Sequence, residues 1–168
     1  GCGVGFKLCQ GLNTIYKIPE SELFELTDLL AISIASDIVA MTGENRVLAK
    51  QGLKFLRKTR KFGLRLLIPE EKLAHFEISN IVFDIAPKIN AAGRISHAKA
   101  SVELMISDNL KQAHQIVNEI VNLNDERREM DINITQSALN QVLELEKVER
   151  YSTIVYDPSW NKGVIGIV

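Results

Sequence analysis

The sequence predicts an α/β chain that is mostly helical, with one long helix between a helical part and the beginning of an α/β unit. Three observations support this fold class. Apolar residues recur at helical spacing in the first part, and the pattern becomes long and regular from Ser107. A β-branched and aromatic run, Thr153–Tyr156, follows. With 168 residues and 46% hydrophobic content, the chain is long enough to bury a sizeable core.

The composition excludes several classes of protein. The net charge of −1 argues against a uniformly basic nucleic-acid-binding protein, although it allows local basic patches. Two cysteines, Cys2 and Cys9, cannot build a disulfide scaffold. No secretory signal and no apolar run of membrane-spanning length is visible. We therefore expect a reduced, cytoplasmic protein without a membrane partner.

Both ends of the sequence suggest a piece of a larger protein. The chain begins without an initiator Met and closes on the apolar run Gly163–Val168. A natural C-terminus rarely ends inside a strongly apolar element, because that surface would have nothing to pack on. The alternative is a terminal strand that docks fully into a sheet.

The first predicted elements are helices. Gly5–Leu12 is compatible with a short helical run. Pro19 suits the first turn of the next helix, whose apolar positions extend from Leu23 to Ile34.

Further helices are predicted beyond residue 40. Thr42 is the candidate N-cap of a helix whose inner face runs over Val47–Leu56. Gly63 and Pro69 interrupt the next stretch. Ile78–Ile85 fits a short helix, although its Ile-Val-Phe run is also typical of a strand.

A long helix is predicted near residues 108–146. Ser107 and Asp108 are its N-cap candidates, and two apolar faces flank the polar stretch Asn124–Glu129. Such a helix would be about 55 Å long and would suit a spacer between two domains. Two shorter helices are the alternative.

The last segment predicts the start of a second α/β domain. Thr153–Tyr156 reads as a strand, and Asp157-Pro158 turns it. Trp160–Gly163 then leads into the first turn of a helix.

A basic stripe on one predicted helix is the strongest charge signal. No Asp or Glu interrupts it, so it would attract a phosphate backbone through counterion release. Its candidate nucleic-acid-binding residues are Lys50, Lys54, Arg57 and Lys58. The alternative is a solvated helix face. The full stripe comprises Arg46, Lys50, Lys54, Arg57, Lys58, Arg60, Lys61 and Arg65.

The segment Pro87–Arg94 is a second candidate binding site. Its Ala-Ala-Gly stretch, ending at Gly93, has little side-chain bulk, so a ligand can approach the backbone closely. Asn90 and Arg94 flank that stretch with an amide and a guanidinium, which suit phosphate oxygens. The alternative is a tight turn between packed helices, with Arg94 paired to a carboxylate.

Asp37 is a candidate ligand for a divalent metal. It lies in an otherwise apolar run, where a carboxylate is costly to bury unless a cation or several N–H donors satisfy it. Hard oxygen ligands suit Mg²⁺ or Mn²⁺. A position at a helix end is the alternative. The spacing of His75, His97 and His114 indicates no zinc site.

Six stretches, taken in order, resemble the bacterial single-stranded-DNA-specific exonucleases of the DHH phosphoesterase superfamily. They are Gly3–Leu8, Ser36–Val39, Gly43–Arg46, Pro87–Arg94, Leu123–Arg128 and Trp160–Val168. The resemblance implies that residues 1–105 are the C-terminal part of a DHH domain and that 106–148 form the connector helix. Residues 149–168 would then begin a DHHA1 domain, with the active cleft between the two domains.

The resemblance also implies roles for single residues. Asp37 corresponds to the last metal-binding motif and would be a catalytic metal ligand for Mn²⁺ or Mg²⁺. Asn90, Gly93 and Arg94 would line the nucleic-acid path, with Arg94 on a phosphate. Asn161 stands where relatives often carry His, so we assign it no catalytic role.

The resemblance implies that the parent protein is a 5′→3′ exonuclease on single-stranded DNA. It would act in repair and recombination, with replication and repair proteins as partners. The family's other metal-binding motifs and its later glycine-rich motif are not in this sequence, so we expect the isolated chain to be inactive. Two alternatives are a DHH phosphodiesterase for short oligonucleotides or cyclic dinucleotides, and a non-catalytic nucleic-acid-binding scaffold.

Overall fold

Helices form the regular secondary structure of the computed structural model, which describes residues 1–95, 98–145 and 151–166. A 3₁₀ helix spans Glu70–His75 and a π-helical turn spans Ile81–Ile85, and no strand occurs in the described ranges. The α-helices are α1 (Cys2–Tyr16), α2 (Glu20–Glu25), α3 (Thr27–Ser36), α4 (Gly43–Leu56), α5 (Phe62–Leu67), α6 (Ile78–Asn80), α7 (Ala86–Ile95), α8 (Lys99–Ile106), α9 (Leu110–Leu145) and α10 (Lys162–Ile165).

The first four helices form one packed unit. The helix predicted after Pro19 is divided into α2 and α3 at Leu26. Helices α3 and α4 pack closely, because Gly52 of α4 has no side chain. A Cβ atom at this position would lie 2.1 Å from the carbonyl oxygen of Thr27. Two backbones can approach this closely only where no Cβ stands between them.

The main core joins this unit to the first half of α9. Its fully buried side chains come from α3, α4, α5, α8, α9 and the segment between residues 76 and 85. Burial of such side chains supplies most of the stabilising free energy of a helical domain. Prominent members are Leu56, Leu64, Phe76, Ile81, Ile85, Leu104, Ala113 and Ile120.

A continuous helical run carries the candidate segment Pro87–Arg94. It begins with a capping box between Glu77 and Asn80, continues through the π turn and ends with α7. Phe83 lies in the π turn, four residues before Pro87. In a regular α-helix, the ring of Pro87 would clash with the carbonyl group of Phe83, and the π turn changes the local geometry at this position. The segment is therefore helical, and the alternative of a tight turn is wrong.

Helix α9 is one helix of 36 residues, so the spacer-length helix is confirmed and the two-helix alternative is wrong. At 1.5 Å per residue it is about 54 Å long. Its cap is neither Ser107 nor Asp108. The side-chain oxygen of Asn109 accepts hydrogen bonds from the N–H groups of Lys111 at 2.9 Å and Gln112 at 3.1 Å, as a helix-capping side chain does.

The predicted strand Thr153–Tyr156 is wrong within the described residues. A strand needs a partner that bonds its backbone groups, and this segment has none there. The side-chain amide of Gln141 on α9 takes that place. It accepts from the N–H of Tyr156 and donates to its carbonyl oxygen, each at 3.1 Å.

Gly63 provides a test of the packing between α5 and α8. A Cβ atom at Gly63 would lie 2.0 Å from the carbonyl oxygen of Leu104. We expect Gly63→Ala to lower the free energy of unfolding by about 2 to 3 kcal/mol through overpacking. Urea denaturation followed by circular dichroism measures this.

The matched control is Gly11→Ala in α1, where a Cβ atom would meet nothing within 4 Å. That change should stabilise the helix by roughly 0.5 to 1 kcal/mol, because alanine is the better helix former. Equal midpoints for the two variants would contradict the close approach of α5 and α8.

Candidate nucleic-acid interface

Asp37 lies at the C-terminal end of α3 and is exposed. Its N–H donates to the carbonyl oxygen of Ser33 at 3.1 Å. The next residue, Ile38, has a φ of +50°, a backbone conformation that is rare for a β-branched residue. The chain therefore turns sharply out of α3 at Asp37, which lies at a helix end.

A cleft of roughly 280 Å³ opens beside this turn. Helices α3, α7 and α9 supply its polar side chains, which are Ser36, Asn90, Arg94 and Arg127. None of the described residues that line it carries a carboxylate. An anion would therefore meet donors and positive charge here.

The cleft joins sequence motifs that lie far apart in the chain. Ser36 and Ile38 flank Asp37, while Asn90 and Arg94 belong to the second candidate segment. Gly93 is exposed on α7 beside Arg94. The structure thus brings together the two candidate sites that the sequence analysis treated separately.

The last motif contacts this cleft through a backbone approach. Arg94 Nη1 donates to the carbonyl oxygen of Gly163 at 3.1 Å. A Cβ atom at Gly163 would lie 2.2 Å from the carbonyl oxygen of Arg94. Only glycine permits this contact, which holds α10 against the end of α7.

Local hydrogen bonds shape the segment that precedes α10. The side-chain oxygen of Asn161 accepts from the N–H of Gly163 at 2.8 Å and caps the helix. Asp157 accepts from the hydroxyl and the N–H of Ser159 at 2.6 and 2.8 Å. These two bonds favour the ionised carboxylate and lower the pKa of Asp157. Asn161 therefore has a structural role.

The basic stripe is divided between two surfaces. Lys50 and Lys54 are exposed on α4, beside a groove that also contains Phe24 and Arg46. Lys58 borders a different cleft, which is lined by Asp28 and other residues. The stripe therefore borders two different clefts.

Two members of the stripe make internal contacts. Arg57 donates to the carbonyl oxygen of Phe76 from Nε at 3.1 Å and from Nη2 at 2.9 Å. Lys61 Nζ lies 2.7 Å from the carboxylate of Asp28, which is only 2% exposed. Thr59 donates to the same carboxylate at 3.2 Å. These contacts hold the turn after α4 and give Arg57 and Lys61 structural roles.

Asp37 is a single carboxylate in a region where a metal would need more ligands. Divalent Mg²⁺ or Mn²⁺ takes several oxygen ligands. Across the described ranges, no group of three or more His, Cys, Asp or Glu side chains could hold a metal ion. These residues alone do not fit a complete metal site.

Comparisons with known proteins identify the relationship. No protein-family model matches the chain. The single-stranded-DNA-specific exonuclease RecJ of Bacillus subtilis is 37% identical over 173 residues, which cover 100% of this chain and 21% of the relative. A crystal structure of exonuclease RecJ bound to manganese superimposes with a TM-score of 0.84 and 30% identity, covering 98% of this chain and 41% of that one.

The predicted resemblance to RecJ is confirmed. RecJ of Thermus thermophilus, solved in complex with Mg²⁺, gives a TM-score of 0.78 with 28% identity over 93% of this chain and 24% of its own. The chain thus spans a fifth of the Bacillus subtilis RecJ it matches. The helical architecture agrees with these RecJ structures. In the described part of the chain, no helix has the length and apolar character needed to cross a membrane.

Arg127 is the cleft residue that sequence reasoning did not select. Its motif, Leu123–Arg128, contributed to the RecJ resemblance but carried no predicted site residue. The signal was the polar interruption of an otherwise amphipathic helix. Because the side chain meets α3 and α7 only through tertiary packing, its place in the cleft was not visible in the sequence.

The contact between α7 and α10 can be tested with the single tryptophan of the chain, Trp160. We expect Gly163→Ala to push α10 away from Arg94, since the added Cβ would overlap the Arg94 carbonyl. Trp160 lies partly buried against α9, so its fluorescence emission should shift to longer wavelength. Gly166→Ala is the control, because a Cβ atom there meets nothing within 4 Å. An unchanged spectrum for Gly163→Ala would contradict the contact.

Proposed function

We propose that this chain is a segment of a metal-dependent 5′→3′ exonuclease that hydrolyses single-stranded DNA in repair and recombination. The observation that supports it best is the cleft lined by Asn90 and Arg94, which opens beside the turn at Asp37. Arg94 of this cleft also contacts α10. The names of the similar proteins, all RecJ, support the same reaction. The chain spans only part of their length, so the activity belongs to the longer protein.

The domain organisation of that enzyme is part of the proposal. Residues 1–105 form the C-terminal part of a DHH domain, 106–148 the connector helix, and 149–168 the beginning of a DHHA1 α/β domain. The single long helix α9 supports this division, because its first half packs in the core and its second half contacts α10. A phosphodiesterase of short oligonucleotides would usually have a shorter connector.

An exposed apolar face on α1 supports a longer parent protein. Val4, Leu8 and Ile15 are 76%, 64% and 71% exposed. A contiguous apolar surface of this kind usually packs against another part of a protein.

We propose that the parent is cytoplasmic and works with replication and repair proteins.

The side chains of the cleft would bind and orient the strand. Arg94 presents a forked guanidinium to a phosphate, and Asn90 offers an amide beside it. Exposed Gly93 lets the strand approach α7 closely. Lys50, Lys54 and Lys58 would attract the strand from outside the cleft, and the nucleic-acid contact predicted for Arg57 remains a prediction.

Asp37 would be one catalytic metal ligand in the parent enzyme, with Mn²⁺ or Mg²⁺ as cofactor. The other ligands would come from outside the described residues, which do not complete a metal site. The related RecJ structures were solved with manganese and with Mg²⁺. The isolated chain should therefore not hydrolyse DNA.

The central test is Asp37→Asn in a full-length RecJ that contains this segment. Removing a ligand charge should slow Mn²⁺-dependent degradation of 5′-labelled single-stranded DNA by at least about 100-fold. Asp108→Asn, an exposed carboxylate at the start of α9, is the matched control and should retain activity. Equal rates for Asp37→Asn and the parent enzyme would support the non-catalytic scaffold or a different site.

The basic residues of α4 predict a salt effect. If Lys50 and Lys54 contact phosphates, each Lys→Gln change should reduce the slope of log affinity against log salt by about one ion. Fluorescence anisotropy with a single-stranded oligonucleotide measures the slope. Lys99→Gln is the control, because Lys99 is an exposed lysine on α8 outside the stripe. Slopes that match the control would mean that α4 presents only a solvated face.

A further inference from the structure

Unpaired polar atoms cluster near the cleft. Three buried side-chain atoms of the described residues have no hydrogen-bond partner in this part of the fold. They are Ser36 Oγ, Asn124 Oδ1 and Arg127 Nε. Buried polar groups in native proteins are nearly always paired, so an unpaired group usually marks a ligand, an ion or water.

Arg127 is the most unusual member of this cluster. Its side chain is only 14% exposed, although it carries a permanent positive charge. Its ion-pair partner among the described residues is Asp131, with 3.9 Å between Nη1 and Oδ2. That distance is too long for a hydrogen bond. The guanidinium is therefore weakly compensated and retains an unused donor.

The surroundings of Arg127 select an anion as its missing partner. Ser36, Asn90 and Arg94 line the same cleft and can all donate hydrogen bonds. The described lining contains no carboxylate that would compete for these donors. A phosphate group fits this chemistry, because its several oxygens can accept from two guanidinium groups at once.

We propose that Arg127 and Arg94 form a phosphate clamp, with Ser36 as a further donor and a backbone phosphate of single-stranded DNA as the ligand. The inference rests on the proposed function and extends it to the connector helix. Arg94 approaches from α7 and Arg127 from α9, so a bound phosphate would join the two helices. The rigidity of a continuous helix would fix the position of Arg127.

The test measures binding of fluorescein-labelled dT8 to the 168-residue chain, with EDTA present so that no metal contributes. Arg127→Gln should weaken binding by about tenfold or more, since a charge-assisted hydrogen bond is lost. It should also lower the salt slope by about one ion. The matched control is Arg128→Gln, which removes the same charge from the neighbouring exposed position and should change affinity less than Arg127→Gln.

Thermal unfolding separates binding from structure. If Arg127 is a clamp residue whose ion pair with Asp131 is weak, the melting temperature of Arg127→Gln should be unchanged or raised, because a poorly compensated buried charge is removed. Loss of affinity together with a lowered melting temperature would assign Arg127 a structural role and overturn the proposal. Unchanged affinity would overturn it as well.

Two further variants keep the outcomes distinct. If Arg94→Gln weakens dT8 binding and Arg127→Gln does not, the clamp is wrong while the proposed function stands. If the unaltered chain does not bind dT8, the nucleic-acid interface itself is contradicted. If Arg127→Gln fails to fold, Ser36→Ala is measured in its place. A several-fold loss of dT8 affinity in Ser36→Ala supports the clamp, and an unchanged affinity overturns it.

Discussion

Helix α9 must satisfy two different environments along one axis of about 54 Å. Its first half carries Ala113, Ile116 and Ile120 into the main core, where α5, α7 and α8 pack against it. Its second half contacts the segment before α10 through Gln141 and partly buries Trp160. Because a continuous helix transmits position along its length, the buried first half determines where the second half places its side chains.

Close backbone approaches determine how the other elements meet this helix. Gly52 and Gly63 bring helix pairs together in the first part, and Gly163 brings α10 against the end of α7. At Gly163 the same contact aligns the carbonyl that accepts from Arg94. The contact between Arg94 and α10 therefore depends on a close approach that no residue with a side chain would allow.

Much of the helical structure could be predicted, because apolar residues at helical spacing indicate which face of a helix is buried. The long helix and the helix over 78–85 follow from this spacing. The prediction of a strand at Thr153–Tyr156 was wrong, because β-branched residues form a strand only when a partner strand is available. The cleft could be predicted only in pieces. Asp37, Asn90 and Arg94 stand out locally, whereas the role of Arg127 depends on tertiary contacts with α3 and α7.

The most direct test of the nucleic-acid cleft is an NMR titration of the ¹⁵N-labelled chain with dT8. If DNA binds in the shared cleft, the largest amide shifts will fall on three segments that are distant in sequence and close in the fold. These are the turn at Asp37, residues 90–94 and Gly163. The Nε–H signal of Arg127 should shift with them. Shifts confined to the exposed face of α4 or to α1 would contradict a shared nucleic-acid cleft.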